Sequence, residues 1–138
     1  MYICMVENER SVIKVKLNKI LYDDIDYSNL YKCIDNSING TIADKVFIYQ
    51  ENNTILGFIT MVLSQNKAKI GLIAVNPESR GKSIGRQLIN YCEDYCFMNN
   101  LKTLSVATQL QNEIAMKFYS NIGFKTKKIN YIYHLWVL

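Results

Sequence analysis

The stretch "AVNPESRGKSIGRQLINYCEDYC", Ala74–Cys96, joins an apolar run to a helical pattern through a basic, glycine-bearing turn. The run breaks at Asn76–Pro77, where proline removes a backbone donor and turns the residue before it away from helix. Beyond the break, Arg80, Lys82 and Arg86 surround Gly81 and Gly85. Ile84, Leu88, Tyr91, Cys92, Tyr95 and Cys96 then recur at the i, i+4, i+7, i+8 spacing of an amphipathic helix. A helix start carries unpaired N–H groups and about half a positive charge, which together make an anion site. Glycines let the main chain approach an oxyanion closely, and the three cations add charge. The implied ligand is a phosphate or pyrophosphate. The Gly81–Gly85 spacing does not supply the G-x-x-x-x-G-K-[ST] of a Walker loop, and a dinucleotide fingerprint would follow the first strand of a βαβ unit.

Upstream lie "KVFIYQ", "TILGFITMVL" and "KAKIGLIAV", separated by Asn52–Asn53 and Gln65–Asn66. Two-residue breaks of that kind join antiparallel strands. The third strand is apolar on both parities and is expected to be central and covered on both faces. Downstream, "KTLSVATQ" reads as a further strand, so strand, helix and strand imply a right-handed crossover and a parallel pair. "NEIAMKFYSNIGF" predicts a second helix closed by Gly123 in a left-handed cap, and "KKINYIYHLWV" a last strand of alternating large residues. Nearer the N-terminus, residues 11–17, "SVIKVKL", alternate like an edge strand. "YSNLYKCIDNSI" has helical spacing and ends at Asn39–Gly40. The expectation is a single domain over residues 1–138, of the α/β (α+β) class. Its antiparallel meander turns parallel, with helices on both faces of a mixed central sheet.

Composition narrows the function. The 138 residues are 49% apolar with one proline, which suits a compact globule. No apolar run approaches the roughly 20 residues of a membrane span, and "MYICMVENERSV" lacks the pattern of a secretory signal. A cytoplasmic setting follows as the expectation, with Cys4, Cys33, Cys92 and Cys96 as reduced thiols. Cys92 and Cys96 lack C-x-x-C spacing, and His134 is the only histidine, so no metal centre is expected. Residues 1–51 hold six Lys/Arg against eight Asp/Glu, and residues 66–138 hold ten against four. That basic half suggests a polyanionic ligand. No interleaving of basic and aromatic residues and no recognition-helix pattern supports nucleic acid as that ligand.

The run Arg80-Gly81-Lys82-Ser83-Ile84-Gly85 resembles the [QR]-x-x-G-x-[GA] signature of the GNAT family of N-acetyltransferases, which holds the coenzyme A pyrophosphate at the start of a central helix. Ser83 stands where that family usually has glycine. In a helical first turn serine needs no positive φ, and its hydroxyl is available to a phosphate oxygen. "NEIAMKFYSNIGF", Asn112–Phe124, looks like the family's N-x-x-A-x-x-[FL]-Y-x-x-x-G-F segment. The resemblance covers about residues 45 to 138. It implies acetyl-CoA as co-substrate, bound by Arg80, Gly81, Lys82, Ser83, Ile84, Gly85 and Arg86. It also implies that backbone groups of Ile73, Ala74 and Val75 and the side chain of Asn112 hold the pantetheine arm. Tyr119 would protonate the departing thiolate; its plain structural reading is one core aromatic among ten tyrosines.

Within the family, "LGFITM", "VATQLQNEIAMKFY" and "YIYHLW" are most similar to acetyltransferases of nucleotide-linked amino sugars, the TDP-fucosamine enzymes among them. Those carry a longer N-terminal region, so part of the acceptor pocket would be reduced here or supplied by another subunit, and a homodimer is compatible with this. The implied acceptor is a primary amine on a small molecule. A tyrosine of ordinary pKa near 10 suits donation to a thiolate whose conjugate acid is near 8.5. No carboxylate lies in "KIGLIAV" to act as base. Water or His134 is left for that role, although a lone histidine in an aromatic strand is more often structural. Gln109, after the "VAT" strand, reads as an acceptor ligand or as a strand-end residue. Tyr22 and Asp23 are acceptor-site candidates by resemblance only, with Asp23-Asp24 equally readable as a solvated turn, and Lys125, Lys127 and Lys128 read best as a solvated cluster. A protein N-terminal or lysine acetyltransferase and a non-catalytic acyl-CoA-binding module stay open. Retention of Tyr119 argues against the module, since binding alone needs no proton donor.

Overall fold

The computed structural model describes residues 2–5, 43–135 and 137. Contacts among the residues divide it into two compact units, the first running to Ala107 and the second starting at Thr108. The expected strand over residues 11–17 and helix over residues 27–38 lie outside the described residues.

The first unit is built on a five-stranded sheet in the order β1-β2-β3-β4-β5. These are β1 (Tyr2–Met5), β2 (Lys45–Glu51), β3 (Thr54–Ser64), β4 (Lys67–Val75) and β5 (Thr103–Val106). The first four pair antiparallel, and β5 pairs parallel with β4 from Lys67↔Thr103 to Ile70↔Val106. Mixed topology is thus as the sequence led us to expect, and so are the turns. Asn52 and Asn53 both take positive φ (47° and 61°), which a two-residue hairpin needs and asparagine tolerates. Gln65 opens the next turn at φ 50°. β1 was not legible in the sequence.

Helix α1 (Ile84–Met98) packs against β2, β3, β4 and β5. Leu88, Ile89 and Cys92 are fully enclosed, and the Tyr91 and Tyr95 rings close on Phe47 of β2 at centroid distances of 4.9 and 5.5 Å. Gly57 permits this approach. A Cβ there would stand 2.9 Å from the Ala74 carbonyl oxygen, 3.2 Å from Ile84 Cγ2 and 3.3 Å from Leu88 Cδ1. At its other end α1 closes over Asn100 (φ 57°), with the Leu101 N–H donating to the Cys96 carbonyl at 2.8 Å. The Lys102 N–H then donates to the Asn66 carbonyl at 2.7 Å and starts β5 alongside β4.

The strand covered on both faces is β3, where Phe58, Ile59, Thr60 and Met61 are buried in succession. β4, expected in that role, instead alternates. Ala68 and Ile70 are buried while Lys67, Lys69 and Gly71 face solvent. Its lysines carry stems long enough to line one face with charge in water, so apolar residues on both parities overstated its burial.

In the second unit, α2 (Glu113–Ile122) forms where expected. Asn112 caps its start, and Gly123 closes it at φ 117°. The expected last strand does not form, since residues 124–135 and 137 belong to no regular element. Alternation marks a face only when a neighbouring backbone pairs the strand, and Tyr131, Tyr133, Leu135 and Val137 are exposed.

Candidate active site

The anion-binding stretch is assembled from consecutive turns. Asn76 Oδ1 accepts the Glu78 N–H at 3.0 Å and caps a short 3-10 turn, Pro77–Ser79, in which Ser79 is buried. Arg80 leaves that turn extended (φ −65°, ψ 153°), Gly81 takes φ 79°, and Ser83 caps α1 at φ 61°, ψ 16°. The expectation that Ser83 would need no positive φ is therefore wrong. It is the residue before the helix, not within its first turn, and reversing the chain there requires the left-handed region. Such a conformation costs an L-residue about 1–2 kcal/mol.

Ser83 makes no side-chain capping bond, and its carbonyl accepts the first helical hydrogen bond, from the Gln87 N–H at 3.0 Å. Ile84, Gly85 and Arg86 thus open the helix, at positions whose N–H groups have no acceptor within it. Helix dipoles favour acidic residues there, but this first turn has none and carries Arg86. Arg80, Gly81, Lys82 and Arg86 are exposed around it.

Ile73, Ala74 and Val75 lie on the part of β4 that has lost its parallel neighbour. Pairing with β5 ends at Ile70, whereas pairing with β3 runs on to Val75. One edge of that segment is consequently free of any described strand. It leads directly into the Asn76–Arg86 turns, and the Gly57 contacts show Ala74 and Ile84 converging on one point. An extended amide-bearing chain with a diphosphate at its end fits such a surface: strand edge for the amides, helix start and cations for the phosphates.

Two further candidates sit in the second unit. The Asn112 Oδ1 accepts the Ala115 N–H at 3.1 Å, a capping role that sequence reasoning missed although asparagine before Glu113 announces it. That bond leaves the amide NH₂ as the group to offer a carbonyl. Tyr119 is buried, and burial pushes its hydroxyl pKa above the ordinary value of 10.0. Its carbonyl accepts the Phe124 N–H at 3.0 Å, and its ring meets Phe124 at 5.6 Å and Phe118 at 5.3 Å. Hydrogen bond and ring contact together make the closing motif in which the chain beyond the left-handed Gly123 folds back on the last turn.

Of the remaining candidates, Gln109, Lys125, Lys127, Lys128 and His134 are exposed, and Tyr22 and Asp23 lie outside the described residues. Among the described residues, no group of His, Cys, Asp or Glu could hold a metal ion, and no helix is long and apolar enough to cross a membrane.

The family model described as "Acetyltransferase (GNAT) family" matches residues 17–124. The chain belongs to that family. A similar curated protein is the spore coat polysaccharide biosynthesis protein SpsD of Bacillus subtilis, 27% identical over 101 residues, which are 73% of this chain and 35% of SpsD. Another is the dTDP-fucosamine acetyltransferase of Escherichia coli O6:H1, 28% identical over 100 residues, 71% of this chain and 42% of that enzyme. The chain thus spans well under two thirds of either relative. Among solved structures, AAC(6')-Iy in complex with the bisubstrate analogue CoA-S-monomethyl-acetylneamine superposes at a TM-score of 0.72. It covers 99% of this chain and 98% of its own, and at 16% identity the likeness is one of fold.

Proposed function

We propose that the protein is an N-acetyltransferase that moves an acetyl group from acetyl-CoA to a primary amine of a small molecule, in the first instance a nucleotide-linked amino sugar. One observation carries the donor half. The open edge of β4 at Ile73–Val75 leads through the Asn76–Ser83 turns to the cation-bearing start of α1. Backbone groups of the edge would pair with the amides of pantetheine, and the N–H groups of Ile84–Arg86, with Arg80, Lys82 and Arg86, would hold the diphosphate. Coenzyme A supplies the activated thioester.

The protein's own groups then have defined tasks. A neutral amine forms the C–N bond as the C–S bond breaks, and its extra proton passes to water. The Tyr119 hydroxyl gives its proton to the sulfur and is later reprotonated from solvent. That hydroxyl is protonated across the neutral range, and burial, by raising its pKa, makes it a weaker donor than a solvated tyrosine. An N–H of the β4 edge polarises the thioester oxygen, the preorganised kind of assistance that usually contributes most. For the acceptor, the names of the two relatives, one in spore coat polysaccharide synthesis and one acting on dTDP-fucosamine, support a sugar amine.

Melting curves with and without saturating acetyl-CoA test the donor, since a ligand at 100 times its Kd adds about 2.7 kcal/mol. The midpoint should rise, and Arg80→Ala should forfeit more of the rise than Lys128→Ala. An unchanged wild-type midpoint overturns the reading. Thiol release across TDP-amino sugars and peptides with free N-termini tests the acceptor. A tenfold peptide preference in kcat/KM, about 1.4 kcal/mol, would replace the sugar by a protein amine.

A further inference from the structure

The segment that offers the open edge contains one irregularity, and a threonine stands opposite it. β3 and β4 pair Ile59 with Ile73 and Met61 with Ile70, so Thr60 faces two residues, Gly71 and Leu72. A two-for-one bulge of this kind leaves a backbone group out of the ladder and bends its strand. Here the Leu72 N–H does not go without a partner: it donates to Thr60 Oγ1 at 2.9 Å. Thr60 is 1% exposed, so water has no room to replace that acceptor. Gly71 completes the fit, because a Cβ on it would stand 2.8 Å from the same oxygen.

The position of this lock along the strand gives it a consequence. The last parallel pair, Ile70↔Val106, is immediately followed by the bulge, and the edge beyond it, Leu72–Val75, is the part that β5 does not cover. Were the Met61–Ile70 register continued without the bulge, Ile73 would stand opposite Phe58 instead of Ile59, and each N–H and C=O now on the open side would point at β3 instead.

We propose that Thr60 is a positioning residue for acetyl transfer: its hydroxyl holds the Gly71–Leu72 bulge and so aims the backbone groups of Ile73–Val75 along the open edge. This rests on the proposed binding of acetyl-CoA, although Thr60 itself touches neither substrate. Chemically, the side chain must accept a hydrogen bond in a space shaped like threonine. Serine keeps the acceptor, whereas valine keeps the shape and loses it.

The test compares Thr60→Val, Thr60→Ser and Gly71→Ala with wild type, at a temperature where circular dichroism shows each folded. Thr60→Val should lose about tenfold or more in kcat/KM for acetyl-CoA, with a raised KM, as small misplacements near a reacting group do. Thr60→Ser should stay within about threefold. A purely structural threonine would lower the melting midpoint in both variants and leave the KM of the folded fraction unchanged, which overturns the proposal; so would equal damage by serine and valine. Amide exchange at Leu72 reads the lock without any activity. It should be slow in wild type and Thr60→Ser, and fast in Thr60→Val or, should that variant fail to fold, in Gly71→Ala. Fast exchange in wild type also overturns the proposal. Absence of turnover in wild type with Leu72 protected would instead refute the acetyltransferase reading and leave the lock standing.

Discussion

Between Ile73 and Arg86, the groups offered to a ligand are main-chain N–H and C=O groups and exposed cations, whereas in α2 the two candidate groups are side chains that already hold their helix together. Asn112 caps it with its side-chain oxygen, and the Tyr119 ring packs on Phe124 where the Tyr119 backbone carbonyl closes the last turn. The first region can therefore be altered at a side chain with local effect, because its chemistry survives in the backbone. In the second, a careless substitution removes structure and chemistry at once. A variant that separates them has to keep the ring and delete only the proton.

Tyr119→Phe is that variant, and it should give the largest effect. The ring contacts with Phe118 and Phe124 persist, and so does the backbone bond from Phe124. Turnover should fall by about 10² to 10⁴, the usual worth of a positioned acid, with little change in acetyl-CoA affinity. Steady-state kinetics alongside a binding isotherm checks it. Wild-type turnover would reduce Tyr119 to a residue that closes a helix.

The same contrast explains what could be read from the sequence. β2, β3, β4, α1 and α2 announced themselves because periodicity and turn residues are local properties, and Asn52–Asn53 and Gly123 did what their chemistry favours. β1 is only four residues long, too short for a pattern, and exists through its pairing with β2. "KKINYIYHLWV", 127–137, is the reverse case, since its alternation is clear but its described residues, 127–135 and 137, form no strand. At the candidate site the residue types were legible, but three backbone facts were not. The left-handed φ of Ser83, the end of β5 pairing at Ile70 and the Gly71–Leu72 bulge each depend on how neighbouring segments meet, although a glycine inside a strand was a usable hint of the last.

A second way to set the units against each other is alkaline pH. In the first unit, burial is the main cause that raises Tyr49, Cys92 and Cys96, with Cys92 pushed up from 9.0 to about 12. In the second unit, Tyr119 alone is raised among the described residues. A raised folded-state pKa means that the unfolded chain ionises first. The stability these groups contribute is complete below about pH 9 and is lost as pH climbs toward 12. Melting midpoints should fall steeply above pH 9, and Cys92→Ala should show a shallower fall from a lower starting point. An unaltered slope in that variant would mean that the thiol is not shielded in the folded state.

The smallest effect is expected at Ser83, and its sign is what matters. Left-handed φ costs an L-residue about 1–2 kcal/mol, and no side-chain bond of Ser83 to the helix offsets it. Glycine removes that cost but gives the unfolded chain more freedom, worth about 0.4–1 kcal/mol in the other direction. The difference leaves Ser83→Gly more stable by roughly 0.5–1 kcal/mol, a rise of about 2–4 °C in midpoint for a chain of this size. Gly81 provides the matched opposite. It takes φ 79°, and a Cβ there would meet nothing within 4 Å, so Gly81→Ala isolates the backbone cost and should lower the midpoint. Thermal melts of the two variants without ligand decide the matter. If Ser83→Gly melts lower than wild type, the serine is held by a favourable contact rather than strained. Relief of strain, together with a fall in midpoint for Gly81→Ala, would show that the loop before α1 holds a backbone geometry that glycine tolerates and serine does not.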